Sequence, residues 1–147
     1  MMRRIFVISI VSLTAVLAVT YIFIQEEPVT LAEEKSAYKQ NGEFILRIKV
    51  EGAEPDIIVH QSLQYIGEEP VEIKHRTPLV SVSLFHRNHD YTGSFMSRKM
   101  EKGDIHHQDA VAITVDEKGK QNLYIQARFR ADGDEMEIDH VEELMFN

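Results

Sequence analysis

The chain has 147 residues, enough for one small module, and carries 24 Asp and Glu against 16 Lys and Arg, a formal charge of −8 at neutral pH. That balance argues against nucleic acid as a partner, because phosphate backbones are held by basic surfaces. Cysteine is absent, which excludes disulfides, a thiol nucleophile and lipid attachment through a lipobox cysteine.

In chain order, the first element is Ile5–Ile24, an apolar run without a charged residue, preceded by Arg3 and Arg4 and followed by Glu26 and Glu27. As a helix rising 1.5 Å per residue it spans roughly 30 Å, the hydrocarbon thickness of a bilayer. The expected reading is a single-pass signal anchor contacting the lipid bilayer, with a cytoplasmic N-terminus and the rest of the chain extracytoplasmic. The alternative is a secretory signal cleaved after Ala18 or Ala32, which would release a secreted domain. Cleavage at the first site leaves Tyr21, Ile22, Phe23 and Ile24 near a new terminus, and the second follows a core longer than signals use. A buried soluble helix is the remaining reading. The domain organisation expected is an anchor over 1–24, a tether over 25–42 and a domain over 43–147. Beyond the anchor the chain holds all 24 acidic residues and 14 basic ones, a formal charge of −10.

The tether region is charged and lacks a sustained apolar period. Thr30 and Glu33 have capping-box spacing, which predicts a short helix over 31–39. Asn41-Gly42 then marks a turn. From Glu43 onward the period becomes two. Phe44, Leu46, Ile48 and Val50 share one face of a strand, and Ile57, Val59, Gln61, Leu63 and Tyr65 share a face of the next. Val71 and Ile73 form a short strand that stops before Pro78, and 79–86 forms another. Residues 87–103 read as a polar loop, in which Tyr91, Phe95 and Met96 form a short edge strand or a lid. Residues 108–115 and Leu123, Ile125, Ala127 and Phe129 resume the alternation. Asp132-Gly133 is a hairpin signal, because Asp-Gly accepts the positive φ of a tight turn. Met136 and Ile138 return along its partner. Short strands punctuated by turns predict an all-β, immunoglobulin-like antiparallel β-sandwich of about seven strands, with a small barrel as second choice. With neither Cys nor Trp, it is not an antibody-type domain.

Residues 65–73 (Tyr-Ile-Gly-Glu-Glu-Pro-Val-Glu-Ile), residues 100–104, and Gly119 with residues 123–127 (Leu-Tyr-Ile-Gln-Ala) resemble small bacterial extracytoplasmic immunoglobulin-like modules of the BsuPI-type proteinase-inhibitor kind. The resemblance spans about 44–130 and implies a sandwich fold. It names protease inhibition as one activity. However, His75-Arg76-Thr77-Pro78 stands where that domain usually has a Gly-Gln pair.

Seven histidines invite a metal reading, since neutral imidazole is a common zinc and copper ligand. The best local groups are His86 with His89 and His106 with His107, as candidate Cu or Zn ligands if the strands at 79–86 and 108–115 are neighbours. No HExxH spacing supports them, and loop histidines are usually just solvated. Asp132, Asp134, Glu137 and Asp139 offer oxygens to calcium but lack the twelve-residue loop with its closing Glu, and so read as a solvated hairpin face. Gly93-Ser94-Phe95 is not a nucleophile elbow and there is no phosphate-cradling glycine loop, so no enzyme is expected. Residues 88–102 are the candidate contact surface, with Tyr91, Phe95, Met96 and Arg98 as partner-binding residues, because aromatic, Met and Arg groups together suit recognition. The competing reading tucks Phe95 and Met96 into the core. Taken together, the expectation is a non-enzymatic module that binds a protein or an envelope component. A histidine-rich metal-binding domain is the first alternative and a protease inhibitor the second.

Overall fold

The computed structural model describes residues 27–147, so the expected helix over 5–24 lies outside the described residues. The described chain is all-β. Ten strands follow one another: β1 (Lys35–Asn41), β2 (Phe44–Ala53), β3 (Asp56–Tyr65), β4 (Val71–Arg76), β5 (Val80–Leu84), β6 (Phe95–Met100), β7 (Ile105–His107), β8 (Val111–Thr114), β9 (Gly119–Ala131) and β10 (Asp134–Phe146). They make two antiparallel sheets. Sheet one runs β1-β2-β3, with β7 and β8 both on the far side of β3. Sheet two runs β10-β9-β4-β6, with β5 also on β9. Ten strands stand where about seven are expected, because β1, β6 and β7 add to the seven that the alternation marks.

The period of two explains which faces meet. Phe44, Leu46, Ile48 and Val50 of β2 and Ile57, Val59 and Leu63 of β3 are buried, as are Ile73 of β4, Leu123, Ile125 and Phe129 of β9, and Ile138, Leu144 and Phe146 of β10. They form one core between the sheets. Each such side chain contributes about 1.5–3 kcal/mol by leaving water, and in a domain without disulfides that burial must carry the fold. Phe44 stacks edge-on against Phe129 at 4.7 Å, tying sheet one to sheet two. The β9–β10 hairpin turns as expected, with Asp132 at φ 48° and Gly133 at φ 91°. Asp132 also bonds β4: its amide donates to Glu72 O, and its Oδ1 accepts from Glu72 N, both at 3.0 Å.

The helix expected over 31–39 is instead β1, which pairs with β2 from Lys35–Val50 to Asn41–Phe44. Its residues are mostly exposed, so a helix here would have had no apolar face to bury. The free edge of β2 supplies the backbone partners that a local cap could not outweigh. The preceding residues also belong to the sandwich. Leu31 bridges Phe146, Ala32 N donates to Met145 O at 2.9 Å, and Asn147 N donates to Thr30 O at 2.9 Å. The segment read as a tether is therefore structured from Thr30 onward.

Candidate functional site

The outer face of sheet two assembles by register. Arg76 lies opposite Phe95 and Lys74 opposite Ser97 across β4 and β6, and Lys74 lies opposite Arg130 across β4 and β9. Arg130 and Arg128 then face Glu135 and Glu137 of β10. Four cations of an acidic chain thus share one face. Three are paired, Arg128 with Glu137 at 3.2 Å, Arg130 with Glu135 at 3.0 Å and, more loosely, Lys74 with Glu72 at 3.9 Å. These ion pairs are solvent-exposed, worth at most about 1 kcal/mol each, and easily rearranged. Arg76 has no carboxylate partner among the described residues. Its guanidinium lies over the Phe95 ring at 4.1 Å, and its Nη1 donates to Gly93 O at 3.3 Å.

The loop after β5 folds back over this face. Tyr91 donates its hydroxyl hydrogen toward Gln126, whose backbone oxygen is 2.8 Å and side-chain oxygen 3.0 Å away, while Gln126 Nε2 donates to Asp139 at 2.9 Å. Arg128 sits 5.1 Å from the Tyr91 ring. Burial raises the Tyr91 phenol well above its usual range, so it stays protonated as a donor. Gly93 ends the loop. A Cβ there would fall 2.0 Å from the Thr77 hydroxyl, and its amide donates to Thr77 O at 3.0 Å. Only glycine lets the chain approach β4 this closely and start β6 in register. The result is a groove of about 780 Å³ bounded by Tyr91 and Phe95 on one side and by Arg128, Arg130 and Met136 on the other.

Phe95 is 71% exposed and Met96 51% exposed, so neither enters the core, although β6 is the edge strand the sequence suggests. Met100, at the other end of the same strand, is fully buried. Arg98 faces inward at the flank, where its Nη1 lies 2.7 Å from His106 Nδ1. His75 is buried beside them, its ring 5.8 Å from that of His106. Burial, then Arg98, then His75 and His107 hold the His106 imidazole below its ordinary value, so it stays neutral there and its Nδ1 can accept a hydrogen bond from Arg98.

The four candidate metal ligands do not converge. β5 lies in sheet two and β8 in sheet one, and they are joined across the sandwich by Gln108, which bonds both backbone groups of Val80 at 3.0 and 2.9 Å. His86 and His89 belong to the loop beyond β5, whereas His106 and His107 pair with β3. Among the described residues, no three His, Cys, Asp or Glu side chains are grouped as a metal ion requires. His89 Nδ1 is buried without a partner, and burial lowers its pKa. Three of the four acidic hairpin residues are otherwise engaged: Asp132 caps Glu72, Glu137 holds Arg128 and Asp139 holds Gln126.

Sequence reasoning picked out Tyr91, Phe95, Met96 and Arg98 but missed Lys74, Arg76, Arg128 and Arg130. Their spacing, Lys74-x-Arg76 and Arg128-x-Arg130, already sets each pair on one strand face. Only the pairing of β4 with β9 reveals that the two faces are one. Neither a protein-family model nor a curated protein sequence matches this chain.

Proposed function

We propose that the chain is a membrane-anchored, extracytoplasmic, non-enzymatic module that binds a protein or envelope component through the surface around β6. One observation carries the binding reading: Phe95 and Met96 are large apolar side chains left in solvent on an edge strand, next to cations without firm partners. A sandwich needs neither residue for its core, and aromatic, Met and Arg groups are enriched where proteins recognise one another. The anchor reading rests on the uncharged run at 5–24 and the arginines before it.

The sandwich is of the immunoglobulin-like kind in this reading. Strand order supports it. β2, β3 and the split β7/β8 take the A, B and E positions of one sheet, and β10, β9 and the split β4/β5 take G, F and C of the other. β6 extends the second sheet and β1 the first. The resemblance to BsuPI-type modules fits that fold and adds nothing about inhibition.

The test is a photo-crosslinking amino acid placed at Phe95 or Met96 of the full chain in native membranes. Tyr38, equally exposed but on β1 of the other sheet, is the control position. A discrete adduct from Phe95 and Met96 that Tyr38 does not give is expected. The same adducts from all three positions would refute a dedicated surface. Protease protection of residues 27–147 in sealed cells tests the location, and digestion only after lysis would overturn it.

A further inference from the structure

Strand β6 closes sheet two on β4 alone. Among the described residues, no backbone hydrogen bond reaches its other edge. An open edge is a template for pairing, and proteins commonly defend it with Lys or Arg. Arg98 and Lys99 look like that defence. Phe95 and Met96 do not, because an edge that only repels has no use for exposed apolar side chains. Together they describe an edge that refuses most strands and admits one kind.

Charge names the kind. Phe95, Ser97 and Lys99 face the outer side with Arg76, Lys74 and Glu72 of β4, and Met96 and Arg98 face the inner side. The nearest carboxylates hold their cations loosely: Glu101 is 3.9 Å from Lys99, and Glu72, which accepts from Ser97 Oγ, is 3.9 Å from Lys74. Among the described residues, Arg98 and Arg76 meet no carboxylate, only a neutral imidazole, a ring and a carbonyl. A second copy of this strand is disfavoured, because antiparallel pairing would set the two copies' Arg98 and Lys99 among each other. An acidic strand would instead find a cation on either face.

On the reading that this surface binds a partner, we infer that β6 is a strand-addition site for an extended, acidic peptide segment of that partner. The segment's backbone extends sheet two, its carboxylates meet Arg98 on the inner face, and its apolar side chains cover Phe95 on the outer face. Backbone pairing supplies the affinity and the charges the selection.

The probe is a fluorescent, capped octapeptide alternating valine and glutamate, titrated by anisotropy into the full chain in detergent micelles. Saturable binding is expected, with at least roughly tenfold weaker binding of the valine–lysine counterpart. Two versions N-methylated on odd or on even residues separate strand pairing from simple charge attraction. An added strand turns one set of amides to the sheet, so one version should bind and the other fail. Equal binding of both versions overturns the inference, as does equal binding of the lysine peptide. R98E should weaken the glutamate peptide with no change in thermal midpoint, and R98E combined with K99E should prefer the lysine peptide. An adduct at Phe95 that the glutamate peptide cannot displace defeats strand addition while leaving the partner reading in place. A peptide that binds where Phe95 yields no adduct supports the edge and defeats the partner reading.

Discussion

Replacing the two ends of β6 separates a residue kept for packing from one kept for contact. Met100 is fully buried, and its removal as Met100→Ala leaves a cavity in a core that has no disulfide to hold it. Large-to-small changes of this kind cost about 2–5 kcal/mol. For a domain of this size that is roughly a 10–20 °C fall in midpoint. Phe95→Ala removes a ring that is 71% exposed, and the one definable interaction lost is the Arg76 guanidinium at 4.1 Å. At an exposed site this is worth about 0.5–1 kcal/mol. The assay is urea unfolding of the full chain in micelles, followed by tyrosine fluorescence because tryptophan is absent. Met100→Ala should shift the midpoint at least about twofold further than Phe95→Ala, with the slope unchanged in both. A loss above about 2 kcal/mol for Phe95→Ala would show that the ring is packed, and the argument for a contact surface would fall with it.

Three further outcomes follow from the same structure. The folded pKa values of His106 and His89 lie below 6.5, chiefly through burial, so the folded state binds fewer protons than the unfolded one. Stability is then fully present above pH 6.5 and lost as pH falls through the folded pKa, with a limiting slope of about 1.4 kcal/mol per pH unit for each histidine. His106→Gln should flatten the urea midpoint measured from pH 7 to 5, and a wild-type midpoint that rises on acidification would contradict the burial. Gly133→Ala should cost about 1–2 kcal/mol from the positive φ alone, since a Cβ there meets nothing within 4 Å, and Gly133→Asn should cost less. Equal losses for the two would mean the turn is not left-handed. Leu31→Ala should speed amide exchange at Asn147 and Ala32 while leaving β3 protected, and uniform loss across the domain would refute a locally docked lead-in.

The alternating strands were readable because burial writes itself into a period of two, clearest in β2, β3 and β9. β1 was not, because Lys35, Tyr38 and Lys39 bury no apolar stripe and the strand exists only as the partner of β2. β7 hid for the same reason, its Ile-His-His being held by Ser62, Leu63 and Gln64. The sequence pointed to Phe95 and Met96 as a surface or as core without distinguishing them. Met96 and Met100 share a strand face, yet only Met100 has the core above it. The cationic row escaped notice because its members come from β4 and β9, about fifty residues apart, and only long-range register joins them.

The bridge of Leu31 to Phe146 gives the sandwich a near end and a far end. From Phe146 the β9–β10 ribbon runs thirteen residues a strand to its Asp132-Gly133 tip, roughly 40 Å at about 3.3 Å per residue. Lys74 sits one pair short of that tip and β6 beside it. The ribbon is a built-in mast that carries the β6 edge to the end of the domain opposite Leu31. A label fused after Asn147 would sit at the foot of that mast, whereas one inserted at Asp132-Gly133 would crowd its crown.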